Sequence, residues 1–434
     1  MKYTAILGVV GIGFVTLSYV GFPRLTALEY APSTVQEFTK EAGSESGSVE
    51  NIETRDDREV VSHVALPEQV KTIYMTACVA GTTDFRNRLI ALIDETEINA
   101  VIIDIKDYSG TISFLPSSPE LKGAWDASKC GARDMKEIVR MLHEKGVFVI
   151  GRITVFQDPF FAPLHPELAV HKASDGTVWR DKKGLSFIDV GSHEYWDHIA
   201  LLSRDSYNIG FDELNFDYVR YPSDGNMTDI AFTNSVKGEY GNDKQANLEA
   251  FFKYLNEKLN DETYFADVRH TNTGRASSTP WTSVDLFGMT TTNTDDLSIG
   301  QVIERAAPYF DFIAPMVYPS HYPNGFIGLS NPNDYPYKVV HYAMQGGVNR
   351  MTATTTKVAG FTHTRLGTST PALYAKPAYT ADKLRTWIQD FDYGGDYDAM
   401  DVRNQIQASY DAGVQSWMIW APSNIYTRGA LQDE

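Results

Sequence analysis

Residues 210–225 read GFDELNFDYVRYPSDG, and the alternation inside this stretch points to the architecture of the whole chain. Glu213, Asn215 and Asp217 alternate with Leu214, Phe216 and Tyr218, which is the period of a strand with one polar and one apolar side. Tyr221-Pro222-Ser223-Asp224-Gly225 ends it, because proline breaks a central ladder and Asp-Gly favours a turn. With the polar side turned into a closed sheet, Glu213 and Asn215 lie deep, and Asp217 reaches the rim where the strand opens into its loop. A purely structural reading has Asp217 capping that turn or pairing with Arg220.

Outward from this stretch, from Val70 onward, apolar strand-like runs alternate with helix-like stretches, the signature of β-α units and a parallel sheet. Strands are expected at 72–77, 100–107, 147–156, the opening stretch, 282–288, 310–319, 383–391 and 416–422. Helices are expected over LIALIDET, 133–145 with Gly146 as its C-terminal stop, 192–208 with Ser192 as N-cap, 246–259 and VRNQIQASYDAG. Eight alternations predict a closed (β/α)8 TIM-like barrel, with loop insertions at 261–281 and 350–382. An open doubly wound sheet is the alternative. No glycine-rich phosphate loop sits at a strand-to-helix junction, and no sequence repeat of fixed period is present.

In a parallel barrel the C-terminal ends of all strands share one face, so residues far apart in sequence converge there. Those ends carry Asp104, Lys106 and Asp107 on strand two, Arg152 on three, Asp217 on four and Asp285 on five. Tyr318, Ser320 and His321 follow on six, Gln389 and Asp390 on seven, Trp420 and Asn424 on eight. Two carboxyls flanking a glycosidic bond can protonate the leaving oxygen and stabilise or trap the oxocarbenium centre, provided one is held neutral by burial or a like-charged neighbour. Aromatic rings at the ends of strands six and eight would form a sugar platform. Structural alternatives stand beside these roles: Lys106 as an ion pair with Asp104 and Asp107, Arg152 as a neutraliser of acids, His321 as a loop histidine. No metal or other cofactor is expected, since His193 and His198 do not share a helix face and no His-x-x-x-His occurs. A serine hydrolase lacks its G-x-S-x-G elbow.

The 434 residues suffice for one large barrel with appendages, or for two or three smaller domains, and a hydrophobic fraction of 43% can fill a core. A net charge of -18 argues against nucleic acid or an anionic membrane surface as main partner and suits a neutral or cationic ligand, sugars included. Two cysteines, Cys78 and Cys130, exclude a disulfide-dense scaffold and a four-cysteine zinc site. They lie in the loops after strands one and two, so one disulfide at the rim is an option beside two free buried thiols.

Residues 1–23 read as a transmembrane signal anchor: Lys2 precedes the apolar run TAILGVVGIGFVTLSYVGF, near the length that crosses a bilayer, without a small-x-small cleavage site. This predicts a single-pass protein of the cell membrane with its body outside the cytoplasm; secretion after cleavage is the alternative. Residues 24–66, rich in Ser, Glu and Gly, read as a flexible linker, and 67–434 as the barrel domain.

VIIDIKDYSG, GRITVFQDP, GFDELNFDYVRYPSDG, VDLFG, IAPMVYPSHY, RTWIQDF and SWMIWAPSNIY occur in this order over residues 70–428. Together they resemble a glycoside-hydrolase family of bacterial extracytoplasmic barrel proteins once classed as a domain of unknown function. The resemblance implies a TIM-like barrel related to amylase-like and other barrel glycosidases, whose fourth strand supplies an essential acid. Asp217 in FDYVRYP is the matching position. FADVRHTNTGRASSTPW and the segment before RTWIQDF are more elaborate than that pattern.

The expectation is therefore an enzyme that hydrolyses glycosidic bonds of an extracellular or cell-envelope polysaccharide. Asp217 would be nucleophile or charge stabiliser and Asp285 the general acid, with Asp390 as substitute. Asp104, Lys106, Asp107, Arg152, Glu213, Asn215, Tyr318, His321, Gln389, Trp420 and Asn424 would bind substrate or set protonation. The rival is a non-catalytic carbohydrate-binding or envelope-organising surface module, in which the acids only accept hydrogen bonds.

Overall fold

Eight strands pair in parallel and close on themselves: β1 (Lys71–Met75), β2 (Ala100–Lys106), β3 (Phe148–Thr154), β4 (Glu213–Asp217), β5 (Trp281–Phe287), β6 (Phe312–Met316), β7 (Arg385–Gln389) and β8 (Ser416–Trp420). The structure, a computed structural model, describes residues 56–433. The expected anchor at 1–23 and most of the expected linker lie outside the described residues. Among the described residues no helix is long and apolar enough to cross a membrane.

The crossovers carry α1 (Thr83–Asp94), α2 (Met135–Glu144), α3 (His193–Asn208), α4 (Lys244–Leu259), α5 (Pro336–Thr352) and α6 (Ala399–Asp411); between β5 and β6 stand two short turns, Gly288–Thr291 and Ile303–Ala306. Gly146 follows α2 with φ +73°, the left-handed stop expected of it. Ser192 is the N-cap residue of α3, but its hydroxyl donates to the Leu168 carbonyl instead of capping. Helix α5 has no counterpart in the sequence reading, because Gly346 and Gly347 blur its apolar period. Those glycines have a packing reason: a Cβ on Gly346 would lie 3.0 Å from the Thr291 carbonyl oxygen.

The alternation of β4 works as anticipated. Leu214 and Phe216 face outward into the main core beneath the helices, while Tyr74, Ile102, Ile150, Trp387 and Met418 belong to a second apolar cluster inside the barrel. Tyr218 departs from the expected apolar side: its φ of +53° takes the chain out of the strand immediately after Asp217.

The linker was expected to run to residue 66, but its last part is built into the body. Val60–Ser62 pairs in parallel with Arg269–Thr271, a strand inside the first insertion. His63 then bridges Asp212, 3.1 Å from Nδ1, and His270, 3.0 Å from Nε2. The second insertion folds as a three-stranded sheet of Thr355–Thr356, Thr364–Leu366 and Leu373–Ala375.

Cys78 lies in the turn Ala77–Ala80 after β1, and is disulfide-bonded to Cys130 with Cα atoms 4.5 Å apart. The bond closes a loop with a sequence separation of 52 residues, for which loop-closure entropy implies about 4 kcal/mol of stabilisation. Replacing both cysteines by serine is expected to lower the unfolding free energy by about that amount in denaturant titrations. Unchanged stability, or free thiols at both positions in peptide mass spectrometry, would refute the linkage.

Candidate active site

Inward-facing residues stack in layers from the floor of the barrel to its mouth. At the floor Glu213 and Arg385 are wholly buried and paired, with Arg385 Nη1 2.7 Å from each carboxylate oxygen and its guanidinium carbon 3.6 Å above the centre of the Phe312 ring. Above them Asn215 Nδ2 donates to Ser283 Oγ and to Asp285 Oδ1, both at 2.9 Å. These contacts place Glu213 in the foundation rather than in a binding role, and make Asn215 a support for Asp285.

At the mouth, Arg152 of β3 reaches sideways to both neighbouring strands. Its Nη1 donates to Asp104 Oδ1 at 2.7 Å, its Nη2 donates to Asp217 Oδ2, and its Nε stands 3.9 Å from Asp285 Oδ2. Asp217 is thus paired with Arg152 and not with Arg220, the partner of the structural reading. Tyr74 donates its hydroxyl to Asp104 and stacks on Trp420 with ring centres 4.1 Å apart. Trp387 Nε1 donates to Asp285 Oδ1 at 2.8 Å.

Burial decides the protonation states. The Asp285 carboxyl is pushed up to about 8, first by burial and then by the nearby Asp217 charge, against weaker opposition from Arg152, Asn215 and Trp387. Asp104 is pushed up to about 6 by burial, with Arg152 and Tyr74 pulling the other way. Burial also lowers the proton affinity of His321, which favours a neutral ring. Near neutral pH Asp285 therefore holds its proton, beside the Asp217 side chain that Arg152 binds.

A cavity of about 340 Å³ opens over this pair, and Arg152, Asp217, Asp285, Tyr318, His321 and Trp420 of the sequence-derived set line it. Several other expected residues point elsewhere. Lys106 is buried against the outer face, donating to the Thr154 carbonyl at 2.6 Å and pairing with Asp158 Oδ2 at 2.9 Å, not with Asp104 or Asp107. Asp107 accepts from the backbone and hydroxyl of Ser109 in a local turn. Asp390, the substitute acid, accepts from Thr427 N at 2.8 Å and Oγ1 at 2.7 Å and does not line the cavity. Gln389 holds Ser320 N and the Phe391 carbonyl, and Asn424 holds Thr76 N and the Ala421 carbonyl. These side chains shape rim loops.

The sequence reading left out Tyr74, Trp387 and Tyr322. Tyr74 and Trp387 were accessible to the same alternation argument: Thr72 and Tyr74 share one side of β1, and Arg385, Trp387 and Gln389 one side of β7. Tyr322, on a rim loop, offers no such signal.

Fold and site together define a barrel glycoside hydrolase. The chain belongs to the family described as "Putative glycosyl hydrolase domain", whose model matches residues 72–426. Among solved structures it is similar to a hypothetical protein from Ruminiclostridium thermocellum at 28% identity, covering 46% of this chain and 95% of that one, with a TM-score of 0.38. The PgaB (BpsB) glycoside hydrolase domain from Bordetella bronchiseptica is similar at 12% identity, with 86% and 99% of the two chains covered and a TM-score of 0.52, which shows the shared fold. An α-galactosidase from Thermus thermophilus aligns at 12% identity over 85% and 64% of the two chains, with a TM-score of 0.46. No curated protein matches the chain.

The raised Asp285 has a thermodynamic consequence. Its unfolded-state value lies near 4, so between about 4 and about 8 the folded chain holds a proton that the unfolded chain releases. The stability linked to this group is full below the lower value and is lost as pH rises through the upper one. Asp285→Asn, which mimics the protonated acid, is expected to remove that loss and stabilise the protein at pH 8 by on the order of a few kcal/mol. Calorimetric melting from pH 5 to 9 checks it: parallel curves for variant and parent would contradict the protonated carboxyl.

Proposed function

We propose that the protein hydrolyses glycosidic bonds of an extracellular or cell-envelope polysaccharide, with Asp285 as general acid and Asp217 as nucleophile or charge stabiliser. The observation that carries this reading is the pair itself: one buried neutral carboxyl and one arginine-paired carboxylate opening onto the same cavity. Asp285 can deliver its proton to the leaving oxygen, and Asp217 can face the positive charge that builds at the sugar ring. The Trp420 ring, backed by Tyr74, and the Tyr318 ring offer flat apolar surfaces for pyranose stacking. Arg152 donates to one oxygen of Asp217 and the Tyr218 backbone N–H to the other, which fixes the orientation of the carboxyl group.

For the setting we propose that residues 1–23 anchor the chain in the cell membrane with the barrel outside the cytoplasm. The apolar run after Lys2 supports this, and so does the disulfide, since cytosolic thiols are kept reduced. Full-length protein is expected to fractionate with membranes. A mature chain beginning between residues 20 and 35 would instead show cleavage.

The catalytic assignment is tested by turnover on defined polysaccharides with reducing-end detection. Asp217→Asn should lose at least about a thousandfold in kcat, roughly 4 kcal/mol of transition-state stabilisation, with unchanged melting and retained oligosaccharide affinity. Asp285→Asn should be slowed less on substrates with activated leaving groups, and should lack the fall in kcat/KM above about pH 8 that is expected of the parent. Near-normal turnover by a folded Asp217→Asn protein would sink the assignment.

A further inference from the structure

Arg220 lines the same cavity as Asp217 and Asp285. Arg86, Arg152, Arg305, Arg350 and Arg385 each hold a carboxylate within ion-pair distance. Arg220 forms no ion pair with any carboxylate of the described residues, and its one hydrogen bond to the protein runs from Nη1 to the Tyr221 carbonyl at 3.1 Å. Aromatic rings hold it instead, with the guanidinium carbon 4.9 Å from the centre of Tyr218, 5.1 Å from Phe287 and 6.0 Å from Phe187. Burial works against its charge, yet a guanidinium does not give up its proton in a protein. The charge of Arg152 is already taken up by Asp104 and Asp217, whereas Asp217, Asp224 and Asp181 support the charge of Arg220 only from beyond ion-pair distance, so among the described residues Arg220 is a cation of this cavity with no carboxylate in contact.

A second, independent observation concerns the same cavity. The Tyr322 hydroxyl also lines the cavity, is buried, and has no hydrogen-bond partner. It sits against Gly288, where a Cβ would come within 2.5 Å of its oxygen, so the residue after Phe287 makes room for it. Burial holds this hydroxyl in its protonated form, ready to donate.

We propose that Arg220 and Tyr322 form a subsite for an oxyanion on the bound sugar, a uronate carboxylate or a sulfate or phosphate ester, so that the substrate is an anionic glycan. This inference rests on the proposed glycan hydrolysis and narrows its substrate class. It also runs against the acidity of the whole chain. The net charge of -18 is spread over the molecule, and salt screens exposed charges beyond about 8 Å, so a single desolvated guanidinium governs recognition inside the cavity.

The test is binding to the full-length protein, followed by calorimetry, of glucose, galactose and mannose, each as neutral sugar, uronate and 6-sulfate. At least one uronate or sulfate is expected to bind about tenfold or more tighter than its neutral parent, the scale of a charge-assisted hydrogen bond. Preference for uronate identifies a carboxylate as the natural group, and preference for sulfate identifies an ester. Arg220→Gln should abolish the preference with neutral binding unchanged, Arg220→Lys should keep part of it, and Tyr322→Phe should weaken the anionic forms several-fold. Equal binding of neutral and anionic forms by the parent, no binding of any form, or equal weakening of both in Arg220→Gln would overturn the subsite. Because binding needs no turnover, the anion preference is read independently of hydrolysis. A preference without hydrolysis of any glycan would refute the catalytic reading and leave the subsite standing.

Discussion

A single guanidinium sets the terms of this site. Arg152 is buried at the barrel mouth between carboxylates supplied by the strands on either side, Asp104 from β2 and Asp217 from β4. Two acids there would repel strongly in a poorly solvated space, and one cation between them makes both tolerable. The stoichiometry ends there. Asp285 arrives from β5 as a third acid, lies 3.9 Å from an Nε that has no hydrogen-bond partner, and receives neutral donors from Asn215 and Trp387. Without a charge of its own to pair with, it keeps its proton. The protonated acid here is the one left over when one arginine has been shared between two others.

This arrangement depends on the floor beneath it. Polar groups inside a barrel are costly unless they are partnered; the Glu213 carboxylate is held by Arg385 Nη1 across the barrel, although Arg385 Nε and Nη2 find no partner among the described residues. Breaking such a pair leaves a buried charge, whereas the pair intact gives the interior a fixed polar layer on which Asn215 and Ser283 stand. Trp387, one pleat above Arg385, then fills the centre while pointing its indole N–H at Asp285. The same strand alternation therefore supplies both the packing and the orientation of the acid.

The alternation along each strand was legible in the sequence, and with it the barrel, its polar mouth and the pairing of Asp217 with Asp285 in one place. What escaped were departures from the period. Lys106 should face inward two residues after Asp104, but the β2–β3 register shifts between Asp104 and Lys106 and sends the ammonium outward to Asp158. The strand at Val60–Ser62 pairs with residues more than two hundred positions away and draws its partner from an insertion, so no local pattern announces it. Helix α5 was hidden by glycines that serve its close approach to Thr291. Asp390, Gln389 and Asn424 do end strands or follow them, but each is consumed by backbone groups of the rim, which sequence position alone does not reveal.

The turn after β4 ties chemistry to recognition. Asp217 closes the strand, and Tyr218, in a left-handed conformation that is strained for a bulky side chain, takes the chain out of the ladder and into the cavity wall. Val219 returns to the core, and its carbonyl accepts from Gln301 Nε2. Arg220 comes back to the cavity, and Tyr221 is fixed again by its backbone bond to Ile299 and its hydroxyl contact with Ser235. Core contacts on either side thus hold the guanidinium three residues from Asp217, on the wall of the same cavity. That spacing cannot change by one residue without turning either Val219 toward the cavity or Arg220 into the core. The strain at Tyr218 is consequently sustained by the contacts at Val219 and Tyr221, and it is what lets one short segment present a carboxyl group and a guanidinium to the same cavity.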